Sequence, residues 1–377
     1  VSHSPTNVYE TTATAAADLE GPLLDLLPRL GLGDLLRVGA RAETVLRGRP
    51  YVPLLSGRAA LYLALRQAGV ARGDQVLLPA YHCPSMIEPV RWLDAEPTLY
   101  RMQPNLAPDL RDLEAKLTPR VKAVVAAHLF GFVTDLAPVR RVCDERRACL
   151  IEDCAHALFA PTPVGTYGEF VVTSPRKFFP IYDGGALAAR TADRLPRAAS
   201  PTLRFQLQAV WNAVRPARSH HAPGSSTSAR QSAEPSVAAE YRDTRFDRAA
   251  AHRRMSAFSR AVAAASASQR VIEKRRSNYR TLARLLAGVK GTEPLIAEPA
   301  EGVAPYVLPL LVTGGTPVYM RLRAAGIRLG RWDQIVLGVC PVATRYAETL
   351  LHLPCHQGLT PDELRQLASA VARAVEK

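Results

Sequence analysis

The sequence predicts an α/β fold: a large domain on a mainly parallel central sheet, followed by a smaller C-terminal α/β domain. Three observations predict it. Between residues 75 and 152, short apolar runs alternate with amphipathic stretches of about 10 residues, the pattern of strands joined by helical crossovers. The run over 121–128 is apolar almost throughout rather than alternating, as in a strand covered on both faces. After residue 250 a second, shorter succession of helical and strand-like stretches begins. With 377 residues, 47% of them apolar, the chain is long enough for more than one domain.

The elements follow in order. Residues 1–48 read as a loose tail followed by arm helices, because leucines recur at near-helical spacing from Leu19 to Leu46, interrupted by Gly31 and Gly33. Residues 49–250 read as the large domain. Ser56 is placed to cap a helix whose apolar face carries Leu61, Ala64, Leu65 and Ala68. Strands are expected over 75–79, 98–102, 121–128 and 149–152, and helices over 84–93, 109–117 and 136–147. A strand over 170–172, a tight loop with Lys177, the pair Gly184-Gly185 and a strand from Ala186 come next. Residues 215–240, rich in Ser, Ala, Pro and His, read as a mobile loop. Residues 251–377 read as a connecting helix, running on from residue 250 to 286, and the smaller domain. That domain has a strand over 306–312, a helix over 318–325 ending at Gly326, and a last helix. Thr360 and Glu363 form a capping box there, with Pro361 at the first helical position.

Composition sets the partners. The net charge is +14, and residues 190–260 hold 13 arginines and 5 acids, so more than half the surplus lies in one stretch. That stretch has no zinc-finger spacing, no ribonucleoprotein motif and no aromatic interleaving, so nucleic-acid binding is not expected. No apolar run reaches the roughly 18 residues of a membrane span. Residues 1–20 carry no basic segment followed by an apolar one, so no secretion leader is expected. The six cysteines form no Cys-x-x-Cys pair. They read as reduced thiols of a cytoplasmic protein, with no metal site.

Two residues carry candidate chemistry. Lys177 stands among Phe178, Phe179 and Pro180. Apolar surroundings disfavour its charged form, and a neutral lysine forms a Schiff base with a carbonyl. A surface lysine in a hairpin is the plainer alternative. Asp153 stands where a parallel strand stops, with His156 three residues on. It reads either as a helix cap or as the carboxylate that keeps a pyridine nitrogen protonated in pyridoxal phosphate enzymes. Ser56-Gly57, then Tyr81 and His82, then Asp153, then Lys177 is the order expected of a phosphate-binding helix start, ring-facing residues, a pyridinium carboxylate and an anchoring lysine. Gly57 admits a close ligand, and Arg58 stands beside it.

Together these residues resemble the DegT/StrS family of sugar-nucleotide aminotransferases, pyridoxal phosphate enzymes of fold type I. The likeness covers about 55–189 and resumes near 251. It rests on Ser56-Gly57-Arg58-Ala59-Ala60-Leu61, on Gly73-Asp74-Gln75-Val76 leading to Pro79, and on Leu117-Thr118-Pro119. It also rests on His128-Leu129-Phe130-Gly131, Glu152-Asp153, the spacing of Lys177 from Gly184-Gly185, Arg254-Met255-Ser256 and Leu353-Pro354. The resemblance implies that Lys177 anchors pyridoxal 5'-phosphate and moves the substrate proton. It implies that Asp153 binds the ring nitrogen, that His156 stands beside the ring hydroxyl, and that Ser56, Gly57 and Arg58 seat the phosphate. Arg254 is implied to reach across a homodimer. The implied reaction moves an amino group from glutamate to a keto-sugar nucleotide, in sugar, polysaccharide or natural-product biosynthesis. Alternatives are a non-sugar ketone or amino acid substrate, or a binding protein of this fold without catalysis.

The chain departs from the pattern at four places. Val172 replaces a phosphate-binding serine, for which Ser174 is the expected substitute. Cys83 stands near the ring-stacking aromatic, leaving that role to Tyr81 or His82. His252 replaces an asparagine, and residues 190–250 are unlike the family core.

Overall fold

The computed structural model describes residues 24–30, 40–214 and 248–376. The expected tail and the expected mobile loop over 215–240 lie outside them.

The large domain contains β1 (Tyr51–Leu54), α1 (Gly57–Gln67), β2 (Gln75–Pro79), α2 (Ile87–Arg91), β3 (Glu96–Tyr100) and α3 (Leu110–Lys116). It continues through β4 (Val121–Ala127), α4 (Ala137–Arg146), β5 (Cys149–Asp153), β6 (Phe170–Thr173) and β7 (Gly185–Ala189). The seven strands lie in the order β1-β7-β6-β5-β4-β2-β3. All pairings from β3 to β6 are parallel, and β7 runs antiparallel to both β6 and β1. Strands β5 to β7 are almost wholly buried along their length, which explains their apolar runs. The strand order turns back between β2 and β4, so a crevice opens at the C-terminal ends of those strands. In open α/β sheets that is where ligands bind.

Helix α5 (Leu203–Val214) follows the sheet. Helices α6 (Ala257–Ala265) and α7 (Ser268–Leu286) then lead to β8 (Thr292–Pro294) and β9 (Val307–Val312). Helices α8 (Gly315–Ala324) and α9 (Pro341–Thr349), strand β10 (Leu350–Pro354) and helix α10 (Pro361–Glu376) complete the chain. The three strands form an antiparallel sheet in the order β10-β9-β8. The capping box on α10 forms, with Thr360 N–H donating to Glu363 at 2.7 Å and Glu363 N–H to Thr360 Oγ1 at 3.2 Å.

Several expected elements differ. The described parts of the arm, 24–30 and 40–48, form no helix. They lie on the body instead: Leu24 bridges Ile327, and Val45 N–H donates to Leu158 O at 3.1 Å. The helix expected over 84–93 opens as a 3-10 turn over Pro84–Met86 before α2. The long helix expected over 250–286 is two helices, preceded by a turn at 251–252 and isolated bridges at Arg253 and Arg254. Ser256 sets the start of the first. Its hydroxyl caps α6 by accepting Ser259 N–H at 3.1 Å, and Asp183 accepts both its N–H, at 2.7 Å, and its hydroxyl, at 2.8 Å. That tertiary anchor outweighs the helix preference of the alanine-rich stretch around it.

Candidate active site

A cavity of about 870 Å³ opens at the C-terminal ends of β2, β4, β5 and β6. Its wall includes Ser56, Gly57, Arg58, Cys83, His128, Asp153, His156, Ser174 and Lys177. Of the ten candidate site residues named from the sequence, the fold brings seven to one place: Ser56, Gly57, Arg58, Asp153, His156, Ser174 and Lys177.

Lys177 closes a short 3-10 turn after β6. Its N–H donates to Ser174 O at 3.0 Å, and its carbonyl accepts from Arg275 Nη2 at 2.8 Å. Arg275 is fully buried, and its remaining donors go to the carbonyls of Pro305 and Tyr306 and to Gln357. It therefore ties the lysine turn to the small domain. The lysine Nζ lies 5.3 Å from the centre of the Tyr306 ring. Burial lowers the Lys177 pKa below its ordinary value, and the nearby Cys83 and Asp153 act against that shift. The glycines that follow serve a close approach. A Cβ on Gly185 would stand 2.1 Å from the Ser56 carbonyl carbon, so only glycine lets β7 pass the start of α1.

Asp153 is the last residue of β5 and is 9% exposed. Its Oδ1 accepts Ala155 N–H at 2.8 Å, a local turn rather than a helix cap. Burial raises its pKa, with Lys177 acting against that. His156 Nδ1 accepts Phe130 N–H at 3.1 Å, which leaves the ring proton on Nε2. The imidazole stacks on Tyr306 at 4.5 Å and Trp332 at 5.5 Å. Burial holds it far below its ordinary pKa, helped by Lys177 and His352. It is a neutral donor.

The first turn of α1 faces the same cavity. Ser56 caps it by accepting Ala59 N–H at 3.1 Å. A Cβ on Gly57 would lie 3.2 Å from Ser174 Cβ, so Gly57 and Ser174 face each other across a narrow cleft at a helix N-terminus, a setting suited to an anion. The Arg58 side chain does not serve that cleft, because its Nη1 pairs with buried Glu88 at 2.8 Å. Val172 lines the cavity too but offers no donor.

Three expected residues lie elsewhere. Tyr81 is fully buried, donates or accepts at His352 Nε2 at 3.0 Å, and does not line the cavity. His82 is turned to the carbonyls of Pro79 and Ala80 at 2.9 and 3.1 Å, and burial lowers its pKa to about 4. Cys83, the next residue, is the one on the wall. Arg254 is exposed and off the wall, where Arg253 stands instead. Sequence reading missed Trp332, Arg176 and Arg253. The two arginines are adjacent to named motif residues, and Trp332 carries no local motif.

The ligand atoms of His128, Glu152 and Cys154 lie within 4.8 Å of one another, a grouping that the sequence did not reveal. Glu152 already accepts from His128 Nε2 at 3.0 Å and from the N–H groups of Gly165, Tyr167 and Gly168 at 2.6, 3.0 and 3.1 Å. Burial pushes the Cys154 thiol pKa well up.

Comparison with known proteins fits this geometry. Residues 46–329 match the DegT/DnrJ/EryC1/StrS aminotransferase family. The L-glutamine:2-deoxy-scyllo-inosose aminotransferase of Streptomyces kanamyceticus is 38% identical over 146 residues, 38% of this chain and 34% of that protein. The GDP-perosamine synthase of Vibrio cholerae is 31% identical over 118 residues, 30% of this chain and 32% of that protein. The matched stretch thus spans about a third of the length of these relatives. The structure of DesV from S. venezuelae, in complex with a ketimine intermediate, superposes with a TM-score of 0.60 at 21% identity. It covers 87% of this chain and 85% of that one, a likeness of fold. The chain belongs to the DegT/DnrJ/EryC1/StrS aminotransferase family.

Proposed function

We propose that the protein is a pyridoxal phosphate-dependent aminotransferase that moves an amino group from glutamate or glutamine to a keto-sugar, with a nucleotide-linked sugar as acceptor. The observation that carries this reading is the meeting of Lys177 and Asp153 in one cavity, with burial lowering the pKa of the first and raising that of the second. The donor set fits the cofactor. The cleft between Gly57 and Ser174 at the start of α1 suits a phosphate, Asp153 suits a basic ring nitrogen, and the Nε2–H of His156 suits a ring hydroxyl. When bound, the cofactor supplies an electron sink for the carbon that loses its proton.

The chain's residues do the rest. Lys177, whose charged form is disfavoured by desolvation, anchors the cofactor and then takes the proton from the amino-bearing carbon of the donor. Asp153 keeps the ring nitrogen protonated. His156, neutral and fixed by Phe130 N–H, donates without competing for protons. Arg275 holds the backbone of the lysine turn in place. The amino donor of the Streptomyces relative is glutamine by name, so glutamine joins glutamate as candidate donor. The reading includes a homodimer with shared sites, in which exposed Arg254 would reach the partner's cavity. Among the described residues no helix is long and apolar enough to cross a membrane.

The half-reaction tests the reading. Glutamate or glutamine, added alone to cofactor-loaded protein, is expected to shift the visible absorption to shorter wavelength and release one equivalent of 2-oxo acid. Bound cofactor whose spectrum no amino acid shifts would rule out a transaminase.

A further inference from the structure

Three arginines line the cavity: Arg58, Arg176 and Arg253. Two are engaged. Arg58 pairs with Glu88 at 2.8 Å, and the Arg253 guanidinium lies 5.4 Å from the centre of the Phe205 ring. Arg176 differs. It is exposed, and the hydrogen bonds and ion pairs among the described residues include none from its guanidinium. Neither acid on the same wall pairs with it. Asp183 accepts from Ser256 N–H, Ser256 Oγ and Ser259 Oγ at 2.7, 2.8 and 2.5 Å. Asp153 faces Ala155 N–H at 2.8 Å and lies within the field of Lys177. Among the described residues Arg176 thus presents to the cavity a planar cation with no protein partner, one residue before the reacting lysine.

We propose that Arg176 is the anion anchor of this cavity, holding the oxyanion group of a substrate so that its reacting carbon faces Lys177. The inference deepens the aminotransferase reading and rests on it for the identity of the substrates. The chemistry is that of a guanidinium fork, whose parallel N–H groups match a carboxylate or a phosphate. A donor amino acid brings carboxylates, and a nucleotide-linked sugar brings a diphosphate. Both are oxyanions that this fork can take. The position has a second consequence. A positive charge beside Lys177 adds to the desolvation that disfavours its protonated form.

The test is equilibrium binding to cofactor-loaded protein by calorimetry. Two probes are used: glutarate for the carboxylate and uridine 5'-diphosphate for the phosphate, with uncharged glutaramide as control. Arg176→Gln is expected to weaken at least one anionic probe about 10- to 100-fold, the worth of a hydrogen-bonded charge pair. Arg176→Lys should fall between, because it keeps the charge but loses the fork. Glutaramide should bind no better than background to any form. Loss for glutarate alone assigns the anchor to the amino donor. Loss for the diphosphate alone assigns it to the acceptor, and KM for that same substrate should rise in turnover. Equal binding of both probes in the unsubstituted and Arg176→Gln proteins, or no binding of either probe to the unsubstituted protein, would overturn the proposal. Arg176-dependent binding without any conversion of donor would keep the anchor and discard the aminotransferase reading.

Discussion

Glu152 and Asp153 are consecutive on β5, and the pleat sends their carboxylates to opposite sides of the sheet. Both are buried. Glu152 meets His128 Nε2 and three backbone N–H groups, from Gly165, Tyr167 and Gly168. Burial alone would raise its pKa, but the His128 hydrogen bond and those N–H groups outweigh burial and hold it below the ordinary value. Asp153 meets one N–H, and burial raises its pKa. One carboxylate is spent on holding the 165–168 loop against the sheet. The other keeps capacity for a partner supplied from outside the chain. A buried carboxylate marks chemistry only when its donors run short.

Breaking the comparison on its structural side should have the largest effect. Glu152→Ala leaves three backbone N–H groups without an acceptor in the protein interior and should cost about 3–5 kcal/mol, measured by denaturant unfolding. In the unsubstituted protein the Glu152 contribution is present above pH 4.5, the ordinary value, and is lost as pH falls through its lower folded value.

Asp153 should behave in the opposite sense. Its folded pKa lies above the ordinary 3.8, so its charge costs stability once the pH rises through the folded value. Asp153→Asn should leave the fold at least as stable at pH 7 and remove that pH dependence. The same substitution should slow the donor half-reaction roughly 100- to 1,000-fold, the scale of losing a placed electrostatic partner. A destabilised Asp153→Asn would mean that this carboxylate, too, is structural.

The smallest expected effect sharpens the placement of the ring-facing residues. Tyr81→Phe removes the hydrogen bond to His352 and should cost about 1 kcal/mol. It should leave the absorption of bound cofactor unchanged, because Tyr81 is off the cavity wall.

Much of the large domain was legible in the sequence, because strands covered on both faces leave unbroken apolar runs and parallel strands need helical crossovers. Strand β2 falls over 75–79 as expected. What escaped was set by tertiary contacts. Strand β1 is a four-residue edge strand containing Pro53, which an edge tolerates. Helix α5 shows Leu203, Leu207 and Trp211 to solvent, each more than 60% exposed, so its apolar pattern marked no core. In the site, residues fixed by their place at strand ends were legible, such as Asp153 and Lys177. Trp332 was not, since it reaches the cavity from the other domain across more than 150 residues of chain. Cys83 could not be told from His82, because one residue of register decides which side chain meets the cavity.

The account turns on Lys177 as the anchor beside Asp153. The direct measurement is to load the protein with pyridoxal 5'-phosphate, reduce it with borohydride, digest it and locate the added mass. The account predicts the adduct on the peptide holding Lys177 and on no other, and its loss in Lys177→Ala. An adduct that persists in Lys177→Ala, or maps to another lysine in the unsubstituted protein, would contradict it.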